Sequence, residues 1–331
     1  MKDSFGREIT YLRLSITDKC NLRCRYCMPE EGVCKQSHFD MLSEDEMITA
    51  VEVAASLGIT KLRITGGEPL VKKNVLSICQ RAAKVEGIKE VCITTNGTML
   101  ADRDDSSNAD ADSQPTMAER LRAAGVSRVN ISLDTLDAEK YKKITRRGEL
   151  KDALAGIDAA LAAGFEKVKI NAVLIGGFND DEIRELCELT LSKPLDVRFI
   201  ELMPMKDNED FGQNSYIKGD VVLKKVPEAI LVETDGGVAK LYRLPGALGN
   251  IGVISPISSH FCGECNRLRL TADGKIKPCL HSDDEYVIKG LDRDGMGREM
   301  ERAILSKPAW HGEMSATSRT STHRSMNEIG G

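Results

Sequence analysis

The sequence predicts an α/β fold, an incomplete six-stranded parallel (β/α) barrel of the TIM type with a C-terminal extension. Three observations carry this. A unit made of a helix-like segment, a glycine and a strand recurs four times in one register. The strands so marked lie about 30–50 residues apart, which leaves room for a crossover helix. Their two faces are unequal: one is apolar, the other polar and partly cationic.

The elements follow in chain order. A first strand reads Tyr11-Leu-Arg-Leu-Ser-Ile16. Ser43 and Glu46 have the spacing of a capping box and open a helix that ends near Leu57. The repeats are Gly58-Ile-Thr-Lys-Leu-Arg-Ile64, Gly87-Ile-Lys-Glu-Val-Cys-Ile93, Gly125-Val-Ser-Arg-Val-Asn-Ile131 and Gly164-Phe-Glu-Lys-Val-Lys-Ile170. Each glycine suits the left-handed residue that stops a helix. Ala-rich segments near 118–124 and 151–163 read as helices. Val197-Arg-Phe-Ile-Glu201 supplies the sixth strand, so residues 1–204 form the barrel and residues 205–331 the C-terminal region.

Parity along the strands selects the barrel. Side chains alternate faces, which puts Leu62/Ile64, Val91/Ile93, Val129/Ile131 and Val168/Ile170 on one side. The other side carries Arg13, Ser15 and Thr17, then Arg63/Thr65, Cys92/Thr94, Asn130/Ser132 and Lys169/Asn171. A doubly wound sheet covered by helices on both faces wants both apolar. A closed barrel fills its interior with branched apolar side chains. An open barrel with a polar cavity satisfies the pattern; a two-layer sandwich with one wet face is the alternative. Arg13, Arg63 and Lys169 then meet in the cavity and call for an anion, with phosphate the natural match. Pairing with Glu68 or Glu201 is the bland reading.

Composition bounds the class. The 331 residues are 41% hydrophobic and 29% charged, with a formal net charge of −5. That balance argues against general nucleic-acid binding. No run approaches the ~20 apolar residues of a membrane span, and the start lacks an apolar signal region, which points to the cytoplasm. Ten cysteines in such a chain are ligands or free thiols rather than a disulfide framework. Cys20, Cys24 and Cys27 form one group and Cys262, Cys265 and Cys279 another; Cys34, Cys79, Cys92 and Cys187 are scattered and read as buried free thiols.

The first group follows the first strand at its C-terminal end, the face on which parallel barrels build active sites. Three thiolates leave one iron of a [4Fe–4S] cluster open, since saturation takes four. A structural zinc site would want a fourth ligand at a second paired spacing. Cys20-x3-Cys24-x-Tyr26-Cys27 resembles the signature of the radical S-adenosylmethionine (SAM) superfamily, and the sequence is similar within it to the GTP 3′,8-cyclase family of molybdenum-cofactor biosynthesis. Thr65-Gly-Gly-Glu-Pro69, Thr94-Thr-Asn-Gly97 and Ser132-Leu-Asp134 match further segments, and the likeness covers nearly the whole chain. It implies that Tyr26, Gly67, Ser132 and Met203 contact SAM, whose open-iron complex yields a 5′-deoxyadenosyl radical.

The second group encloses Asn266-Arg-Leu-Arg269. By spacing alone it is again a three-thiolate site, and His260 or His281 would complete a Cys3His zinc site equally well. The resemblance implies a second [4Fe–4S] cluster whose open iron faces the purine. It also implies that Arg13, Arg63, Thr94, Lys169, Arg267, Leu268 and Arg269 contact GTP. The adenosyl radical would take hydrogen from ribose C3′, and the C3′ radical would attack guanine C8; an electron and a proton complete the product. The chain ends in Gly330-Gly331, a pair the family directs into its active site.

Residues 101–116 look like an acidic insertion and read as a surface loop; residues 306–325, Ser/Thr-rich with scattered Arg, read as a flexible stretch. The expected partners are GTP, an electron donor and the next enzyme of the pathway, with no nucleic acid or membrane, and the expected assembly is a monomer or homodimer. Two rivals remain at this point: a radical SAM enzyme that modifies peptides and carries an auxiliary cluster, and an iron–sulfur protein without catalysis.

Overall fold

The structure, a computed structural model, describes residues 1–32, 41–103, 114–205, 211, 215–232, 238–312 and 320–330. The six expected strands form: β1 (Tyr11–Ser15), β2 (Lys61–Thr65), β3 (Glu90–Thr95), β4 (Arg128–Ser132), β5 (Lys167–Leu174) and β6 (Leu195–Glu201). They pair in sequence order and all in parallel. The helices α1 (Glu44–Ser56), α2 (Val75–Ala83), α3 (Met117–Ala123), α4 (Ala138–Thr145), α5 (Leu150–Ala162) and α6 (Ile183–Ser192) supply the crossovers.

The local signals act as expected. Gly58, Gly87, Gly125 and Gly164 all hold positive φ, between 70° and 95°. Ser43 and Glu46 close a reciprocal capping box on α1, and Thr116 with Glu119 closes another on α3. Leu12, Leu62, Ile64, Ile93, Val129, Ile131, Ile170 and Val197 are buried on the apolar face and form one core.

The C-terminal region extends this sheet on both sides, which the sequence reading did not foresee. After α7 (Val221–Lys225) come β7 (Ile230–Val232), β8 (Lys240–Arg243), β9 (Ile251–Ile254), β10 (Arg267–Leu270), β11 (Lys275–Lys277) and β12 (Tyr286–Val287). β10 pairs in parallel with β1, setting Arg269 opposite Arg13, and β9 pairs in parallel with β6. Each edge of the six-stranded core thus gains one parallel strand, and antiparallel ribbons cap both flanks. The order is β12-β11-β10-β1-β2-β3-β4-β5-β6-β9-β8-β7, an open sheet. Without β10 the edge of β1 would present bare N–H and C=O groups.

The chain then forms α8 (Arg293–Leu305), which rests against α1, and α9 (Met326–Ile329). Within 306–325, residues 313–319 lie outside the described residues. The flanks are not the flexible stretch that composition suggested. Lys307, Thr322 and Ser325 are buried, and Arg324 bonds Asp273 at 2.8 Å and also Glu285. Of the acidic insertion, residues 104–113 lie outside the described residues; its ends meet in an Arg103–Thr116 bridge. Cys79, Cys92 and Cys187 are buried free thiols as expected, while Cys34 lies outside the described residues. No helix among the described residues is long and apolar enough to cross a membrane.

Candidate active site

The loop after β1 carries the first cysteines, and the glycine segment after β2 lies directly against it. Gly67 N–H donates to the Thr17 carbonyl at 2.7 Å and Glu68 N–H to the Lys19 carbonyl at 2.8 Å. A Cβ on Gly66 would stand 2.5 Å from the Thr17 oxygen, and one on Gly67 2.4 Å from the Lys19 oxygen. Two glycines are therefore the condition for this approach. Because the Gly67 N–H is spent, its carbonyl is the group left to meet an ammonium. Arg23 donates to the Cys20 and Leu22 carbonyls, and Arg146 to those of Arg23 and Met28. Arg146 holds φ +62°, a rare conformation for a side-chain-bearing residue, from which it reaches the loop.

The three thiols are close enough to oppose one another's charge. Burial and Glu68 push Cys20 up to about 11, while burial, Cys27, Asp134 and Cys20 raise Cys24. Thiolates in such a place need a cation beside them. Tyr26 hydroxyl donates to Asp134 Oδ2 at 2.7 Å, and Val173 N–H to Asp134 Oδ1 at 2.8 Å, which ties the loop to the ends of β4 and β5. Burial lifts the Asp134 carboxyl to about 6. Ser132 closes β4 and Met203 follows β6, so Tyr26, Gly67, Ser132 and Met203 all stand at the C-terminal ends of strands.

Deeper in the sheet, the polar face collects the cations. The registers Tyr11↔Arg267, Arg13↔Arg269, Arg13↔Arg63, Asn130↔Lys169 and Asn171↔Arg198 put these side chains on one side. Arg63 donates to the Tyr11 hydroxyl and, at 3.3 Å, to Thr94 Oγ1. Burial and the nearby Arg198 bring Lys169 down to about 7. Burial and the guanidiniums of Arg269, Arg63 and Arg267 all bear against the charge of Arg13. Arg198 Nε and Asn130 Oδ1 are buried with no hydrogen-bond partner among the described residues. The acids that were candidates to neutralise this face are engaged elsewhere. Glu68 accepts from Thr95 Oγ1 and the Asn96 and Leu70 N–H groups, with its carboxyl pushed up to about 7 by burial. Glu201 accepts from the N–H groups of Gly219, Ile257 and Ser258. Arg63 and Arg269 are buried and Arg13, Lys169 and Arg198 half-buried, and cations so crowded are costly until an anion joins them.

The second cysteine group flanks β10 rather than lying beyond the barrel. A short 3₁₀ turn spans Cys262–Glu264, and Cys279 follows β11. Burial and the facing Cys279 and Cys265 raise Cys262. Burial acts the same way on Cys265, but Lys307 and Arg267 overcome it and lower that thiol. Alternation in β10 splits the Arg267–Arg269 stretch. Arg267 and Arg269 share the register side of Tyr11 and Arg13, whereas Leu268 is fully buried in the apolar core. The Leu268 side chain therefore does not line the cavity; only its backbone can meet a ligand. His281 Nδ1 pairs with Thr320 Oγ1, and His260 packs beside Trp310. Among the described residues, no three His, Cys, Asp or Glu side chains gather as one metal ion requires.

The tail enters the same space. Asn327 donates to the Asp18 carbonyl, and Arg269 Nη1 to the Gly330 carbonyl at 3.0 Å. Gly330 has φ +83°, and a Cβ there would stand 2.5 Å from Thr65 Oγ1. Gly331 lies outside the described residues. Sequence reasoning missed Tyr11, Arg198 and Asp134. Extending strand parity to β6 and to the first residue of β1 would have found the first two; the Tyr26–Asp134 bond has no signal in the sequence.

Comparison with known proteins matches two families along the chain. The family described as Radical SAM superfamily matches residues 14–190, and that described as Molybdenum Cofactor Synthesis C matches residues 195–312. GTP 3′,8-cyclase of Alkaliphilus oremlandii is 46% identical over all of both chains, and that of Moorella thermoacetica 43% over all of both. GTP 3′,8-cyclase of Geobacter sulfurreducens is 43% identical over 99% of each chain. Among solved structures, Streptococcus suis SuiB aligns over 92% of this chain and 67% of its own, with TM-score 0.64 at 15% identity. Its SAM-bound form aligns over the same shares with TM-score 0.62 at 14% identity. These two show a shared fold.

Proposed function

We infer the function from one premise: the chain belongs to the radical SAM superfamily and, within it, to the GTP 3′,8-cyclases. It is a radical SAM enzyme that converts GTP to (8S)-3′,8-cyclo-7,8-dihydroguanosine 5′-triphosphate in molybdenum-cofactor biosynthesis, with SAM and two [4Fe–4S] clusters as cofactors.

The residue roles are our proposal. Cys20, Cys24 and Cys27 hold the first cluster, and Cys262, Cys265 and Cys279 the second. Three thiols in each group suit an iron–sulfur cluster with one open iron. When bound, the first cluster supplies the electron that cleaves SAM to the 5′-deoxyadenosyl radical. The protein's own task is positioning. The Gly67 carbonyl accepts the SAM ammonium, and Tyr26, Ser132 and Met203 bound the rest of that ligand. Arg13, Arg63, Thr94, Lys169, Arg267 and Arg269 take GTP, with the arginines gripping phosphate oxygens in pairs. Arg198 belongs to the same set. Leu268 contributes backbone only. Gly330, with Gly331 beyond it, closes the mouth over Arg269.

The observation that carries this reading is the run of cations on one sheet face, between the two cysteine groups, with Glu68 and Glu201 engaged elsewhere and Asp196 shared with Lys167. A triphosphate meets that demand, and holding C3′ beside the radical source raises its effective concentration. Reduced thiols on both loops suit the cytoplasm. An outside electron donor and a downstream enzyme are the further partners we expect. The test is anaerobic turnover of GTP with SAM by the reconstituted protein. A cyclised nucleotide is expected alongside 5′-deoxyadenosine; SAM cleavage without that product would sink the substrate assignment.

A further inference from the structure

Two cations from opposite ends of the chain grip the second cysteine loop. Lys307, just past α8, is buried at 3% exposure. Its Nζ donates to the Arg267 carbonyl at 2.9 Å and to the Pro278 carbonyl at 2.7 Å, and its charge favours the Cys265 thiolate. Two of the three N–H groups of this ammonium are thus spent on carbonyls. Arg7 is fully committed. Its Nε meets Asp3 Oδ2 at 2.6 Å, and its Nη1 meets the carbonyls of Cys262 at 2.7 Å and Ala309 at 3.1 Å. Its Nη2 meets the carbonyls of Pro308 at 2.7 Å and Lys307 at 3.4 Å. Asp3 is itself buried and fixed by the N–H groups of Phe5 and Arg7.

These bonds reach every cysteine of the group. Cys262 is held by its own carbonyl, Cys265 by the carbonyl two residues on, and Cys279 by the carbonyl just before it. Both cations spend their N–H groups on the protein's own backbone rather than on a ligand. A buried lysine costs stability unless its position is used. A cation held beside a cluster favours its more negative, reduced state.

We propose that Arg7 and Lys307 are positioning residues of the second cluster, which fix the spacing of its three thiolates, and that the Lys307 ammonium raises the cluster's reduction potential. This rests on the reading that Cys262, Cys265 and Cys279 hold that cluster. The two cations form a staple between the chain's ends, closed around the second cysteine group. Lys307 supplies charge as well as geometry; Arg7 supplies geometry alone, through carbonyls.

The test is an anaerobic redox titration of the holoenzyme followed by electron paramagnetic resonance. The second cluster is identified as the signal that changes with GTP, and the first as the signal that changes with SAM. Lys307→Met should move the GTP-sensitive couple to lower potential and leave the SAM-sensitive couple in place. Lys307→Arg, which restores the charge, should return it toward the wild-type value. Arg7→Gln should make chelators strip the second cluster's iron about 10-fold faster or more, with the potential of the intact fraction unchanged. A Lys307→Met potential equal to wild type would overturn the proposal. So would a shift of both couples together, or loss of both clusters along with the fold in both variants. Wild-type protein with about four irons instead of the about eight that two clusters require would refute the second-cluster reading itself, a separate outcome.

Discussion

Lys169 makes the cavity's electrostatics measurable. In the empty site, burial first and then Arg198, Arg63 and Arg128 disfavour its charge, with Asp196 alone acting the other way, and its value falls to about 7. Asp196 is largely taken by Lys167, at 3.0 Å, and by Asn250. A bound triphosphate reverses the balance and restores the ammonium. Binding must therefore take up protons above neutral pH. For a value of about 7, the uptake is roughly half a proton at pH 7 and ~0.9 at pH 8. Because only the protonated site binds well, affinity should fall about 50-fold from pH 7 to pH 9, or ~2.3 kcal/mol at 1.36 kcal/mol per unit. The sign for the ligand-free protein is opposite. A lysine depressed in the folded state binds fewer protons than in the unfolded chain between its folded and ordinary values, so this group's contribution to stability rises with pH over that window and is lost as pH falls through about 7.

The assay is anaerobic calorimetry of GTP binding in two buffers of different ionisation heat, from pH 6.5 to 9. Lys169→Arg is the control, because an arginine stays charged throughout. It should keep binding and lose most of the proton uptake. Wild-type binding with no proton uptake at pH 8, or an equal pH slope in Lys169→Arg, would refute the placement of Lys169 beside the phosphates.

Two glycines give sharper steric predictions. Gly67→Ala drives a Cβ to 2.4 Å from the Lys19 oxygen and 2.6 Å from the Asp18 oxygen, both backbone atoms that cannot swing aside. The cysteine loop must move, at a cost of about 1–3 kcal/mol, and iron should fall by about four per chain; full iron content would count against the packing described. Gly330→Ala meets Thr65 Oγ1 at 2.5 Å and Ser15 Cβ at 2.8 Å from a backbone at φ +83°. Only the tail has to move, so Tm and iron should hold while turnover falls about 10- to 100-fold; unchanged turnover would remove the tail from the active site.

What the sequence disclosed and what it hid divide by the range of the interactions. The glycines at 58, 87, 125 and 164 act within a turn, and the strand parity of Arg13, Arg63 and Lys169 needs no partner strand to be read. Both are legible from a few residues. The placement of β10 beside β1 joins residues 11 and 267, and no local pattern in Arg267-Leu-Arg-Leu270 names its neighbour. Read as a motif, that stretch looked like one unit of contacts; seen as a strand, it sends Leu268 to the core and its two arginines to the cavity. Residues 306–325 failed for the same reason. Their Ser/Thr composition suggests a loose segment, but Arg324 finds Asp273 and Glu285 across the fold, and Lys307 finds carbonyls on β10 and beside Cys279.

The parallel strands added at each flank also explain why the cations are tolerable. An open six-stranded sheet would leave Arg13 at a wet rim, where a charge costs little and holds a ligand weakly. With β10 alongside, Arg13 and Arg269 are opposed in register, and the tail residue Gly330 bonds Arg269. The Tyr11 hydroxyl accepts from Arg63 and partly screens it; the Gly330 carbonyl does the same for Arg269. Both acceptors are neutral, so they reduce the repulsion without cancelling the charge. On the proposed placement of the triphosphate, a phosphate oxygen that reached Arg269 would compete with the Gly330 carbonyl for the same N–H group, coupling substrate entry to the position of the tail through one guanidinium. The tail would then be a stand-in acceptor that a stronger, anionic acceptor displaces, on a strand that pairs directly with β1.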